Sequence, residues 1–112
     1  MAALAVTRVP VAGGLPDVAG ATVAAAALGD TAPCGPGRFL VVVNGDVSSH
    51  TATVVTPGTV SGLAIPDATL TVAAGETGLI PLAPLFRGAA GRASITYDAV
   101  TSVTVAVLEL GR

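Results

Sequence analysis

The stretch Ser102-Val103-Thr104-Val105-Ala106-Val107-Leu108-Glu109-Leu110 decides the fold of this chain. It is rich in β-branched residues and free of Gly and Pro, the marks of a strand. Side chains alternate across a strand, so Val103, Val105 and Val107 share one face. Thr104, Ala106, Leu108 and Leu110 share the other. A sandwich strand ordinarily presents one polar face to water; this one is largely apolar on both. Its single charge, Glu109, reads either as an exposed edge position or as the partner of an arginine at an interface, and the edge is preferred.

Working upstream, Arg92–Asp98 alternates, with Ala93, Ile95 and Tyr97 inward and Ser94 and Thr96 outward. Ala68–Ala73 and Thr77–Leu82 are two further strands joined at Ala74-Gly75-Glu76. Phe39–Val43 is a continuous apolar strand, followed by the turn signal Asn44-Gly45-Asp46 and a returning strand at His50–Thr56. Val60 to Ile65 is irregular or a short strand. Asp30–Gly37 reads as a Pro/Gly-rich loop and Pro84–Gly91 as another. Ala21–Leu28 is open: Ala24–Ala27 favours helix by propensity, but in an all-β chain strand is preferred. Ala3–Arg8 is a first strand, and Pro10–Gly20 is extended and irregular.

The expectation is therefore all-β: one β-sandwich, jelly-roll or Ig-like, of about seven to eight short antiparallel strands. It occupies residues 21–112, preceded by an extended N-terminal arm at 1–20 that reaches a neighbour or the surface of a larger assembly by strand addition. The length suits one domain. With no Trp, one Tyr and two Phe, the core must be built from Val, Leu, Ile and Ala.

Hydrophobic residues make up 52% of the chain and charged residues 11%, against about 25% charged in ordinary soluble domains. No apolar run approaches the ~18 residues of a membrane span, so no membrane partner is expected. The basic residues are all arginine (Arg8, Arg38, Arg87, Arg92 and Arg112), scattered without a stripe, which argues against nucleic acid. Cys34 is the lone cysteine and reads as an incidental thiol in a loop. The N-terminus has no basic region before an apolar stretch, so it does not read as a secretory signal; synthesis in a reducing cytoplasm is expected.

Catalytic chemistry is hard to find. His50 follows Ser48-Ser49, but neighbours on a strand point to opposite faces, and His50 reads as a solvent-facing residue at a strand start. The acids sit mostly beside Gly or Pro, where they cap turns. No metal or phosphate motif is present, so no cofactor is expected and the chain reads as a non-enzyme. Phe86-Arg87 is a candidate partner contact, since aromatics and Arg are enriched in interface centres; the other reading is a loop Phe tucked onto its own core. Leu108 and Leu110 on the last strand, and Leu4, Val6 and Arg8 on the first, complete the candidate contact residues.

From about Ala24 to Leu110 the chain resembles a family of small phage and prophage proteins encoded among virion structural genes. The resembling stretches are AAAALGDTAPCGPGRFLVVVNGD, HTATVVTPGTVSGLAIPDATLTVAAGETGLIPL and ITYDAVTSVTVAVLEL. Where the family often has a polar Asn-Asp-Gly before the Arg38 strand, this chain has Cys34-Gly35-Pro36-Gly37. The resemblance implies a capsid decoration or minor head protein on the outer surface of a virion. It would bind the major capsid protein and itself, commonly as a trimer. A head–tail connector or tail component, and a carbohydrate- or receptor-binding module, are the alternatives.

Overall fold

The computed structural model describes residues 2–88 and 91–111. The chain is all-β, with two five-stranded sheets and a two-stranded ribbon. The strands are β1 (Ala2–Ala3), β2 (Val6–Val9), β3 (Val23–Ala24), β4 (Asp30–Pro33), β5 (Arg38–Asn44), β6 (His50–Val54), β7 (Thr59–Val60), β8 (Leu63–Ala64), β9 (Ala68–Val72), β10 (Thr77–Pro81), β11 (Arg92–Tyr97) and β12 (Val103–Leu110). The first sheet runs β1-β4-β11-β6-β9; the second runs β10-β5-β12-β2, with β3 also paired to β12.

One apolar cluster draws on both sheets. Ala32, Ala52, Val54, Val72, Ala93 and Ile95 come from the first, and Leu40, Val42, Ile80, Val103, Val105 and Val107 from the second. The faces turned away from this core differ. On the first sheet, Thr51, Thr53, Thr69, Thr71, Ser94 and Thr96 form a hydroxyl-rich face, with Thr51 and Thr71 hydrogen-bonded across strands at 3.1 Å. On the second sheet, Val41, Ala106 and Leu108 form a separate buried cluster, with Val9, Leu15 and Val18 packed against it. The outer face of the last strand is thus covered at Ala106 and Leu108 by residues of its own chain, with Leu110 left exposed.

Several expectations are corrected here. The first strand is broken at Leu4-Ala5, so β1 adds in parallel to β4 while β2 adds in parallel to β12. The segment expected to reach a neighbour instead joins both sheets of its own chain, and Leu4 is buried in the core. Asp30–Pro33, expected as loop, is a strand because β11 pairs with it residue for residue. Ala21–Leu28 yields the two-residue β3 and no α-helix. Asp30 is fully buried; its Oδ2 accepts from the Tyr97 hydroxyl at 2.7 Å and from Ala26 N–H at 3.3 Å. Burial, and then the adjacent carboxylate, push the Tyr97 hydroxyl well above the usual phenol range.

Candidate functional site

Three surface features stand out, the first two built by elements far apart in sequence. The first is an arginine pole. Register sets Glu109 of β12 opposite Arg38 of β5 on one side and Arg8 of β2 on the other. Cross-strand neighbours interact directly: Arg38 Nε donates to Glu109 Oε2 at 2.8 Å, and Arg8 Nε lies 3.4 Å from Glu109 Oε1. The Arg38 hydrogen bond, reinforced by both guanidinium charges, holds the Glu109 carboxyl below its ordinary range. Arg38 Nη1 and Arg87 Nη2 both donate to the Cys34 carbonyl, each at 3.2 Å. Three guanidiniums therefore gather around one carboxylate and one carbonyl, leaving a local surplus of two positive charges. Exposed Val11, Leu85 and Leu110 belong to the same segments as this cluster. Arg92 is spent otherwise: it donates to Thr31 Oγ1, Thr31 O and Leu4 O, tying β1 into its sheet.

At the opposite end of β5 lies an acidic pole. Asn44 is buried, and its Nδ2 donates to Ser48 O at 2.8 Å and Val72 O at 2.9 Å, while its Oδ1 accepts from Asp46 N–H. This fixes the turn that carries Asp46. His50 lies beneath it, with Nε2 at 2.8 Å from Asp46 Oδ2 and Nδ1 at 3.2 Å from Asp98 Oδ1. A neutral imidazole has one N–H, so serving both carboxylates requires the imidazolium. The hydrogen bond to Asp46 is the main reason the His50 pKa is raised. The same hydrogen bond, with that from Val47 N–H, lowers Asp46. Partial burial works to raise Asp98, but hydrogen bonds with the Thr51 and Ala99 backbone and with His50 outweigh it. The expectation of a solvent-facing His50 is corrected: the residue is 8% exposed and both ring nitrogens are occupied. Glu76, whose carbonyl accepts from Asn44 N–H, adds an exposed third carboxylate.

The pairing of His50 sets a pH dependence. A raised folded-state pKa stabilises fully below the unfolded value of about 6.5 and is lost as pH rises through the folded value. The lowered Asp46 and Asp98 stabilise above their unfolded value and lose this as pH falls through the folded one. His50→Gln is expected to lower the thermal midpoint at ~pH 5.5 and to matter much less at ~pH 9.5. Melts of both proteins across that range check it.

The third feature is the β7–β8 ribbon. Ser61 and Gly62 have φ of 53° and 78°, the paired positive values of a tight hairpin turn whose twist suits its strands. Val60 pairs with Leu63, and the ribbon pairs with neither large sheet. Asp67 Oδ1 accepts from Thr56 N–H at 2.8 Å and closes its base. Val60 is 64% exposed and Leu63 73%. No charged residue occurs from Thr51 to Pro66.

The residues singled out from sequence divide accordingly. Arg8, Arg87 and Leu110 come together at the arginine pole. Phe86 is buried on its own core, Leu108 lies under Leu15 and Val18, Leu4 is in the core and Val6 packs against it. Arg8, Arg38 and Arg87 are not scattered, as their sequence positions suggested. Arg38 and Glu109 were missed as site residues, because nothing local links positions 71 apart. Glu109 is not at an edge, since β12 lies between β5 and β2. A small apolar cleft of about 170 Å³ opens beside β12, lined by Leu4, Val23, Val105 and Val107 among others; it offers almost no polar group to orient a ligand. Among the described residues no cluster suits a metal ion, and no helix is long and apolar enough to cross a membrane. No family model, curated protein or solved structure matches the chain.

Proposed function

We propose that this chain is a non-enzymatic virion structural protein that decorates or cements the outer surface of a phage capsid by binding the major capsid protein. The observation that carries this reading is the uncharged ribbon with Val60 and Leu63 at its tip. An isolated two-stranded hairpin is marginal in water, and exposed apolar patches mark contact sites. Burying those two side chains against a shell is worth roughly 3–6 kcal/mol. Repetition over a lattice multiplies so modest a contact through avidity. The chemistry around His50 supports the non-enzymatic reading, because neither ring nitrogen is free to serve as a base.

The finer fold reading is an eight-stranded jelly-roll sandwich. What supports it is the order in which the chain visits the sheets. Strands β3, β5, β10 and β12 lie in one and β4, β6, β9 and β11 in the other, with spatial orders β3-β12-β5-β10 and β4-β11-β6-β9. That is the arrangement of two interleaved Greek keys, common in capsid and lectin domains. The carbohydrate-binding alternative wants exposed aromatic platforms, and Phe39, Phe86 and Tyr97 are all at least partly buried.

The test is stoichiometry in purified particles. A decorating protein is present on the order of hundreds of copies per particle and a connector ring at about six or twelve. Val60→Asp with Leu63→Asp is expected to abolish capsid occupancy with little change in the melting midpoint. Full occupancy by that variant would remove the ribbon from the account.

A further inference from the structure

We infer that copies of this chain associate head to tail, the arginine pole of one docking on the acidic pole of the next. This deepens the assembly reading by naming a second copy as the partner, but the contact itself is a property of the isolated protein.

The argument is charge complementarity along one axis. β5 begins at Arg38 and ends at Asn44, so the poles stand about 20 Å apart at the rise of a strand. At the first, Arg8, Arg38 and Arg87 face one carboxylate, Glu109. At the second, Asp46 and Asp98 hold one imidazolium, His50, and Glu76, whose carbonyl accepts from Asn44 N–H, adds an exposed carboxylate. Surplus charges of two positive and two negative thus sit at opposite ends of one small chain. Each pole also has exposed apolar side chains in the same segments: Val11, Leu85 and Leu110 at the first and Val47, 91% exposed, at the second. Surface ion pairs are individually weak; a cluster with an apolar complement is a better contact, and unlike charges also steer encounter.

The poles are different surfaces, so the contact is heterologous. Such contacts close into a ring if the rotation between copies allows and otherwise extend into a filament. A cyclic trimer is one closed solution. A dimer made through one pole alone is not a solution, because that pole would meet its own like charge; a side-by-side antiparallel pair is the two-fold alternative, and wild type that stops at a dimer would overturn the head-to-tail arrangement.

Sedimentation velocity of the full chain at low and high salt tests this. Wild type is expected above monomer mass at low salt, with association at least about tenfold weaker at high salt through screening. Arg8→Glu with Arg87→Glu reverses the first pole; Glu76→Arg, whose side chain makes no hydrogen bond or ion pair among the described residues, neutralises the second. Each variant alone is expected to be monomeric. An equimolar mixture is expected to stop at a dimer, because the first variant keeps an acidic pole and the second an arginine pole. Circular dichroism confirms that both fold, and Arg87→Glu alone serves if the double variant does not. Wild type that stays monomeric at low salt, or variants that oligomerise unaided, would overturn the inference. Neither result touches capsid binding, which the ribbon variant reads separately.

Discussion

Deleting residues 1–20 will abolish cooperative folding instead of releasing an intact β-domain. The segment supplies β1, the parallel partner of β4, and β2, the parallel partner of β12. It also supplies Leu4 to the main core and Val9, Leu15 and Val18 to the cover over Val41, Ala106 and Leu108. Burying four such side chains contributes roughly 6–12 kcal/mol as an upper estimate. A domain of this size is stable by about 5–15 kcal/mol in total. The deletion also bares the outer face of the second sheet, so residual protein will aggregate. Thermal melts followed by circular dichroism check this; a cooperative transition in the truncated chain near the wild-type midpoint would refute it.

Leu40→Ala is the point substitution expected to cost most. Leu40 is fully buried, sits mid-sheet between Ile80 and Val107, and is among the largest core residues of a chain whose core is mostly Val and Ala. Small neighbours on a hydrogen-bonded sheet have little freedom to collapse into the vacated space. The cost is about 2–5 kcal/mol, transfer and cavity together, and the thermal midpoint should fall by more than about 10 °C. Urea unfolding should show a lower midpoint with an unchanged slope, since the surface exposed on unfolding is nearly the same. A midpoint within experimental scatter of wild type would mean that the second sheet shifts to close the cavity.

Both predictions depend on where apolar surface ends up. The alternation of Val103 to Leu110 identified a strand with two apolar faces. It did not say that Leu15 and Val18, almost a hundred residues upstream, cover the second face. The large apolar side chains left exposed are more local: Val60 and Leu63 on the ribbon, Val11, Leu85, Leu110 and Val47 at the two poles, and Val23, Leu28 and Leu79 elsewhere.

The long strands were legible because local pattern suffices for them. Ala68–Ala73, Arg92–Asp98 and Ser102–Leu110 carry β-branched residues in alternation, and Phe39–Val43 is a continuous apolar run closed by Asn44-Gly45-Asp46. Asp30–Pro33 was not legible. It holds an acid and a proline, and it is a strand because β11 offers it partners and the Tyr97 hydroxyl donates to one oxygen of the buried Asp30. That hydrogen bond, between residues 67 apart, lies outside any local window.

The sequence by itself determined an all-β chain, a core of small aliphatic residues, and tight connections such as that at Gly75, whose φ of 74° glycine adopts without strain. Tertiary structure decided how charge and apolar surface are distributed. Register across β2, β12 and β5 placed Arg8 and Arg38 on Glu109, and the ends of β5, β6 and β11 placed Asp46 and Asp98 on His50. Pairing of strands is a long-range event fixed by the whole core, so residues that are dispersed along the chain become two opposite poles once the sheets form.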